Sequence, residues 1–382
     1  MKMVTFGPTD PAAINSALTQ AMTELGGKPK LGLVYMPVDI DHQSVLRELQ
    51  SIASGAPVIG ASTGGAAFTE RGETRDGIVG GFISGEDFEA DVALARVGEN
   101  SVSGPVQEAV RSLPKTPGGS NTLLVLADAF ACDGEVLLSS LRQSAPPHWR
   151  FIGGTAGDNW KFEGTKQFYN GEVISGGVIL ARLKTAKPLT MAVKHGWCSA
   201  EGAREFIITE ISGNVLKKLD NRPAAQVYTE ELERLGLLEK GEDPVKKLAL
   251  YELGVKGLGS DELKIRAPLG IGEDGSIVLA SSLLNGGVVR VVQAKPDTLI
   301  QAAGTLSEDI RKSFTQGGPN GALAFDCAAR LQLLGQRYSE EVSELHGPGN
   351  HPMLGFACYG EIAKFGGDLE GFHNTTAVMG AW

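Results

Sequence analysis

Along the chain, uninterrupted apolar runs alternate with stretches in which apolar residues recur every three or four positions. Runs such as LGLVYM at 31–36, TLLVLAD at 122–128 and ALAFDC at 322–327 predict buried strands. The three-to-four periodicity predicts helices near 11–25, 43–53, 105–113, 134–144, 297–315 and 328–345. Further apolar runs, GIVGGFIS at 77–84, SGGVILARL at 175–183 and NTTAVMGAW at the end of the chain, predict additional strands.

A short pattern occurs three times within this alternation: VIGASTGG at 58–65, FIGGTAGD at 151–158 and MLGFACYG at 353–360. The same order of helix, strand and helix precedes each copy, and a strand follows it, so three units of helix, strand, helix, strand, strand are expected. The alternation argues for an α/β architecture of mixed sheets covered by helices, in two lobes. Residues 184–290 break the pattern with the strands LTMAVKH, EFIITEI, GSIVLAS and VVRVVQ and a helix near 223–235, which places a domain boundary near 184. As the last strand of a repeated unit, the terminal run is expected to be buried and ordered.

Length, 382 residues, suits a large two-lobed body or two to three domains. A net charge of -10 argues against nucleic acid as a partner. Cys132, Cys198, Cys327 and Cys358 form no CxxC pair and read as reduced thiols. No signal-like or membrane-spanning apolar run is present, so a cytoplasmic location without membrane contact is expected. GxxxxGK[ST], HExxH and CxxCH are all missing, and the histidines do not stand at metal-ligand spacing. Nucleotide hydrolysis by a P-loop and HExxH metalloprotease chemistry lose their support.

VIGASTGG with GIVGGF, then FIGGTAGDNWKFEGTKQFYNGEVISGGVILARL, resemble the N-terminal half of the FIST sensory domain. ISGNVLKKLDNRPAAQVY, FDCAAR, GFACYGEIAKFGG and FHNTTAVM resemble its C-terminal half. Residues 1–183 would be the first half, with two repeat units, and 184–382 the second, with the inserted strands and the third unit. The resemblance implies a sensory protein, not an enzyme, that binds an amino-acid-like or similar metabolite and signals to a partner. Some bacterial members of the family are haem-binding nitric oxide sensors acting on a histidine kinase or on cyclic-di-GMP enzymes, and eukaryotic members are ubiquitin-ligase adaptors.

Candidate ligand-binding residues fall in three clusters. In the tail, glycines that permit close approach of a ligand would leave Cys358, Glu361 and His373 at a pocket mouth, with Gly360 and Asn374 as further candidates; the alternatives are a turn-capping Glu361 over a buried Cys358 and an Asn374 bonded to neighbouring backbone at the strand start. Cys327 ends a predicted strand and Arg330 follows in the first helical turn, where Arg330 would grip a ligand carboxylate or make a surface ion pair. His195, Trp197 and Cys198 follow a strand; His195 is the candidate ligand for a non-covalent haem b or else a hydrogen-bonded structural residue. Asp128 and Asp133 are expected mainly as helix caps, and Trp160 either stacks on a flat ligand or belongs to a turn. Cys358 or Cys198 paired in space with His373 or His195 would make a cysteine-dependent enzyme, the remaining alternative.

Overall fold

The computed structural model describes residues 1–98, 101–256, 262–315, 318–367 and 369–382. Its first unit runs β1 (Lys2–Thr9), α1 (Ile14–Leu25), β2 (Leu31–Met36), α2 (His42–Ile52), β3 (Val58–Ser62), β4 (Ala67–Thr69), β5 (Gly72–Thr74) and β6 (Ile78–Ser84). The second repeats that order as β7 (Glu89–Arg96), α3 (Ser103–Ser112), β8 (Ser120–Ala127), α4 (Gly134–Ser144), β9 (Arg150–Thr155), β10 (Gln167–Tyr169), β11 (Glu172–Ile174) and β12 (Gly177–Thr185).

The third unit opens with β13 (Thr190–Lys194) and is then interrupted by a lobe. This lobe comprises β14 (Cys198–Ser199), β15 (Glu205–Ser212), β16 (Val215–Leu219), β17 (Arg222–Pro223), α5 (Ala224–Arg234), β18 (Tyr251–Lys256), β19 (Leu263–Arg266), β20 (Pro268–Ile271), β21 (Ile277–Leu279) and β22 (Val288–Gln293). The unit resumes with α6 (Pro296–Lys312), β23 (Ala322–Cys327), α7 (Ala328–Leu334), α8 (Tyr338–His346), β24 (Met353–Cys358), β25 (Glu361–Lys364), β26 (Gly371–His373) and β27 (Ala377–Ala381).

The three expected units are therefore present, each longer than the apolar pattern suggests. Each begins with an extra strand, and a hairpin lies between its last two predicted strands. LTMAVKH is the first strand of unit three, pairing with β27 as β1 pairs with β6 and β7 with β12. The single helix expected over 328–345 is two, because Gly335 at φ 56 turns the chain between α7 and α8. The terminal strand is buried between β13 and β23, as expected.

Every unit gives its hairpin away. The sheets run β1-β6-β2-β3-β10-β11, β7-β12-β8-β9-β25-β26 and β13-β27-β23-β24-β4-β5, so each ends in a hairpin from another unit. The exchange is cyclic: unit two completes the sheet of unit one, unit three that of unit two, and unit one that of unit three. Helices cover these sheets with apolar faces; α1, for example, buries Ile14, Leu18, Ala21 and Leu25. The lobe has its own nine-stranded sheet and a core around Phe206, Leu216, Tyr228 and Leu253. No helix among the described residues is long and apolar enough to cross a membrane.

Glycine recurs in the repeated pattern for a steric reason. Gly60, Gly153 and Gly355 are the direct partners of Val34, Val125 and Ala324 on the adjacent parallel strand. A Cβ at these three positions would lie 2.0, 1.9 and 2.4 Å from the partner's carbonyl oxygen. Gly60→Ala should therefore cost about 2–3 kcal/mol of stability in urea titrations through overpacking. Gly27→Ala, whose Cβ meets nothing within 4 Å, should change stability by less than about 0.5 kcal/mol. Equal effects would contradict the close approach of β2 and β3.

Candidate functional site

In sheets containing parallel strands, ligands gather where the carboxyl ends of those strands meet loops and helix starts. Here a cavity of about 500 Å³ opens at that edge of units two and three and is roofed by the inserted lobe. The body contributes Thr155 at the end of β9, Cys327 at the end of β23, and Ala328 and Ala329 at the start of α7. Asn214, Ala267, Leu269, Leu279 and Ala280 form the wall on the lobe side. Lobe and body are tied together beside it: Asp133 accepts from both the N–H and the hydroxyl of Ser282, and Arg266 pairs with Glu135.

One wall is aromatic, built by the loops after β8 and β9 and by the turn between β24 and β25. Phe162 stacks on Tyr359 at 5.9 Å and 18°, Trp160 lies 5.5 Å from Tyr359, and Phe130 lies 6.0 Å from it. The Tyr359 hydroxyl fixes this cluster by donating to Asp158 Oδ1 at 2.6 Å and accepting from the Trp160 N–H at 2.6 Å. Burial raises the Asp158 carboxyl, but Tyr359 and the N–H groups of Gly164, Glu163 and Phe162 outweigh it and hold the group below its usual range. Asn159, Trp160 and Phe162 adopt φ of 55, 62 and 56, a region that disfavours bulky side chains. Such strain persists only where surrounding bonds over-determine it.

Asn374 and Thr375 close the inner end. Thr375, a β-branched residue, is held at φ 53. Its hydroxyl donates to Glu252 at 2.9 Å, and its carbonyl accepts from the Trp197 indole at 3.2 Å and from Arg330 at 3.5 Å. The strained turn presents Asn374 to the cavity. Asn374 Nδ2 donates to the His373 carbonyl at 3.1 Å, and Oδ1 has no partner among the described residues. The buried hydroxyl of Thr155, also on the cavity wall, likewise has no partner there.

Of the residues singled out from the sequence, Cys327, Asn374, Asp133 and Trp160 line this cavity, whereas Arg330 lies outside its lining. Arg330 is fully buried, pairs with Glu341 and Asp326, and donates to the backbone carbonyls of His195 and Leu299. Trp197 is also buried and acts through its bond to Thr375. Cys358, Glu361 and His373 sit behind the cavity instead of at its mouth, because β25 and β26 are covered as added strands of the second sheet. Gly360 packs under Phe372, where a Cβ would lie 2.2 Å from the ring. Asp128 and Asp133 serve backbone N–H groups, Asp133 as the cap of α4.

The three buried thiols do not suit nucleophilic catalysis. Burial and then Glu361 push Cys327 and Cys358 well up; burial and then Asp128 push Cys132 up to about 12. Cys358 Sγ contacts the Asp326 carbonyl and Glu361 Oε1, both at 3.4 Å, and the cysteine-enzyme arrangement is not built. Cys198 is exposed beside the Gln293 carbonyl.

His195 does not fit a haem. Burial, then Arg330 and Lys194, lowers it to about 4, so the ring is neutral. Its Nδ1 accepts the Trp197 N–H at 2.9 Å, which puts the ring proton on Nε2 and leaves that nitrogen no lone pair for iron. The surrounding depression is separate from the main cavity, measures about 280 Å³ and is rimmed by Lys194, Glu262, Thr298, Gln301 and Thr305.

Sequence reasoning missed Phe130, Phe162, Tyr359, Thr155 and the lobe wall. Phe130, Phe162 and Tyr359 each lie within a few residues after a predicted strand end, in ADAFACD, GDNWKFEG and ACYGE. That placement of aromatics was the available signal.

Residues 30–222 match the family model of the FIST N domain, and residues 224–364 match that of the FIST C domain. No curated protein matches the chain. The two matches meet at the start of α5, inside the lobe.

Two outcomes follow from the buried charges. Arg330→Gln should lower stability by about 3–5 kcal/mol, because carboxyls are left without their cation; a loss under about 1 kcal/mol in urea titrations would show a guanidinium facing the cavity instead. Glu361 is held well above its ordinary 4.5 by burial and then by Asp326. The folded state thus keeps a proton that the unfolded chain releases, and this stabilisation is lost as pH rises from about 4.5 toward the folded value. Between about pH 5 and 8 the wild type should lose more stability than Glu361→Gln, by up to about 1.4 kcal/mol per pH unit. Parallel profiles would contradict a protonated Glu361.

Proposed function

The chain belongs to the FIST family, whose domains are sensory modules that bind small ligands and signal to partners, and on that premise we propose that the cavity between body and lobe is its ligand site. One observation carries this reading: a cavity of about 500 Å³ with an aromatic wall also holds two buried polar groups, on Asn374 and Thr155, without partners among the described residues. Buried polar groups are normally hydrogen-bonded, so such atoms on a cavity wall ask for a ligand.

The mechanism is a differential-affinity switch. A ligand that touches Phe162 and Tyr359 on the body and Leu269 on the lobe favours the docked lobe by its extra affinity for that state. A partner then reads the lobe's position. The family resemblance makes that partner a signalling enzyme, such as a sensor histidine kinase or a cyclic-di-GMP enzyme. The haem and nitric oxide reading has no support in the His195 ring, whose proton stands where iron would bind. Cysteine catalysis has none in the raised thiols.

Native mass spectrometry of the purified protein tests the reading. A small molecule should co-purify, and Leu269→Trp, which fills the cavity from the lobe wall, should abolish it. Leu284→Trp, on an exposed lobe residue outside the cavity, should leave it bound. Adding the released molecule at about 100 times its Kd should stabilise the stripped protein by about 2.7 kcal/mol. Equal retention by both tryptophan variants would contradict the site.

A further inference from the structure

The charges around the cavity narrow the ligand further than the family does. Among the described residues, Asp133 is the one charged side chain on the cavity wall, and no lysine, arginine or histidine lines it. Asp133 is fully engaged elsewhere: Oδ1 accepts from Glu135 N at 2.9 Å, Val136 N at 3.1 Å and Ser282 Oγ at 3.0 Å, and Oδ2 accepts from Ser282 N at 3.1 Å. The nearby cations Arg330 and Arg266 lie behind the wall with carboxylates of their own. A zwitterion entering here would lose water from both charges and find no cationic side chain for its carboxylate, while the one anion, Asp133, already serves four donors; each ion left without a partner costs several kcal/mol.

The free groups ask instead for a hydrogen-bond donor. Because Asn374 Nδ2 donates to the His373 carbonyl, the amide is oriented and Oδ1 is left as an acceptor. Thr155 Oγ1, which both donates and accepts, is the second polar point. The remaining surface is mostly aromatic rings, alanines and leucines, the lining that flat apolar molecules fill, together with Cys132, Cys327 and Asn214, whose Nδ2 donates to the Leu279 carbonyl at 2.8 Å.

We infer that the cavity takes an uncharged, flat, largely apolar molecule whose inner end carries an N–H or O–H donor for Asn374 Oδ1. This deepens the sensor reading and rests on it. It also departs from the amino-acid-like ligand that the resemblance implies, since an amino acid brings two charges.

Four probes of one shape separate the possibilities in isothermal titrations of the full chain: indole, N-methylindole, indole-3-carboxylate and tryptamine. Indole should bind at least about tenfold more tightly than each of the others, roughly one net hydrogen bond. Asn374→Ala should reduce indole to the level of N-methylindole, with Thr155→Val as the second variant should Asn374→Ala fail to fold. If the carboxylate or the ammonium binds as tightly as indole and Leu269→Trp abolishes that binding, the ligand site stands and the uncharged class is overturned. If none of the four binds at millimolar concentration while a small molecule still co-purifies and is lost in Leu269→Trp, the inference is overturned and the ligand site stands; if nothing co-purifies either, both fall.

Discussion

Each of the three body sheets is completed by a hairpin from a different unit, and the rest of the structure depends on this exchange. A strand at the edge of its own unit becomes an inner strand once the borrowed hairpin pairs with it, so no unit alone satisfies its backbone. The exchange is cyclic and brings the strand ends of all three units toward one region, where Tyr359 N donates to Thr155 O and Gly157 N donates to Ser62 O. The lobe closes over the part of that region where units two and three meet. The cavity is therefore a consequence of the topology, and its walls come from segments far apart in sequence.

A second layer of constraint lies beneath the cavity. Arg330 joins β23, α6, α8 and the turn at His195, and with Trp197 and Glu252 it holds Thr375 in a backbone region that a β-branched residue rarely adopts. Two buried carboxyls, Asp326 and Glu341, share this one guanidinium. Burial raises both, and Glu341 further raises Asp326, so the arrangement favours a proton on one of the pair. Such clusters add little net stability over an apolar core but fix one conformation strongly. Here the fixed conformation is the turn that presents Asn374.

The repeat was legible in the sequence because its glycine has a steric cause: Gly60, Gly153 and Gly355 each face a neighbouring carbonyl. The exchanged hairpins were not legible, since strands of three residues such as Ala67–Thr69 are too short to carry a period. Nor was β7, whose burial follows no clean alternation. Beneath the cavity, the sequence pointed to residues that matter but left their role open. Arg330 and Trp197 support the site without touching a ligand, because burial, which one sequence cannot measure, turns a would-be binding cation into a structural one. Trp160 was visible only as a turn or stacking residue; its part in a cluster with Tyr359 required knowing that two distant loops meet.

A small molecule that bridges the body and the inserted lobe must restrain both walls of the cavity at once. Hydrogen exchange over the whole chain, with and without saturating indole, tests it most directly. Exchange should slow on both walls together, in the loop 158–164 and the turn 374–376 of the body and in 267–280 of the lobe. Protection confined to one wall, or absent from both, would contradict it.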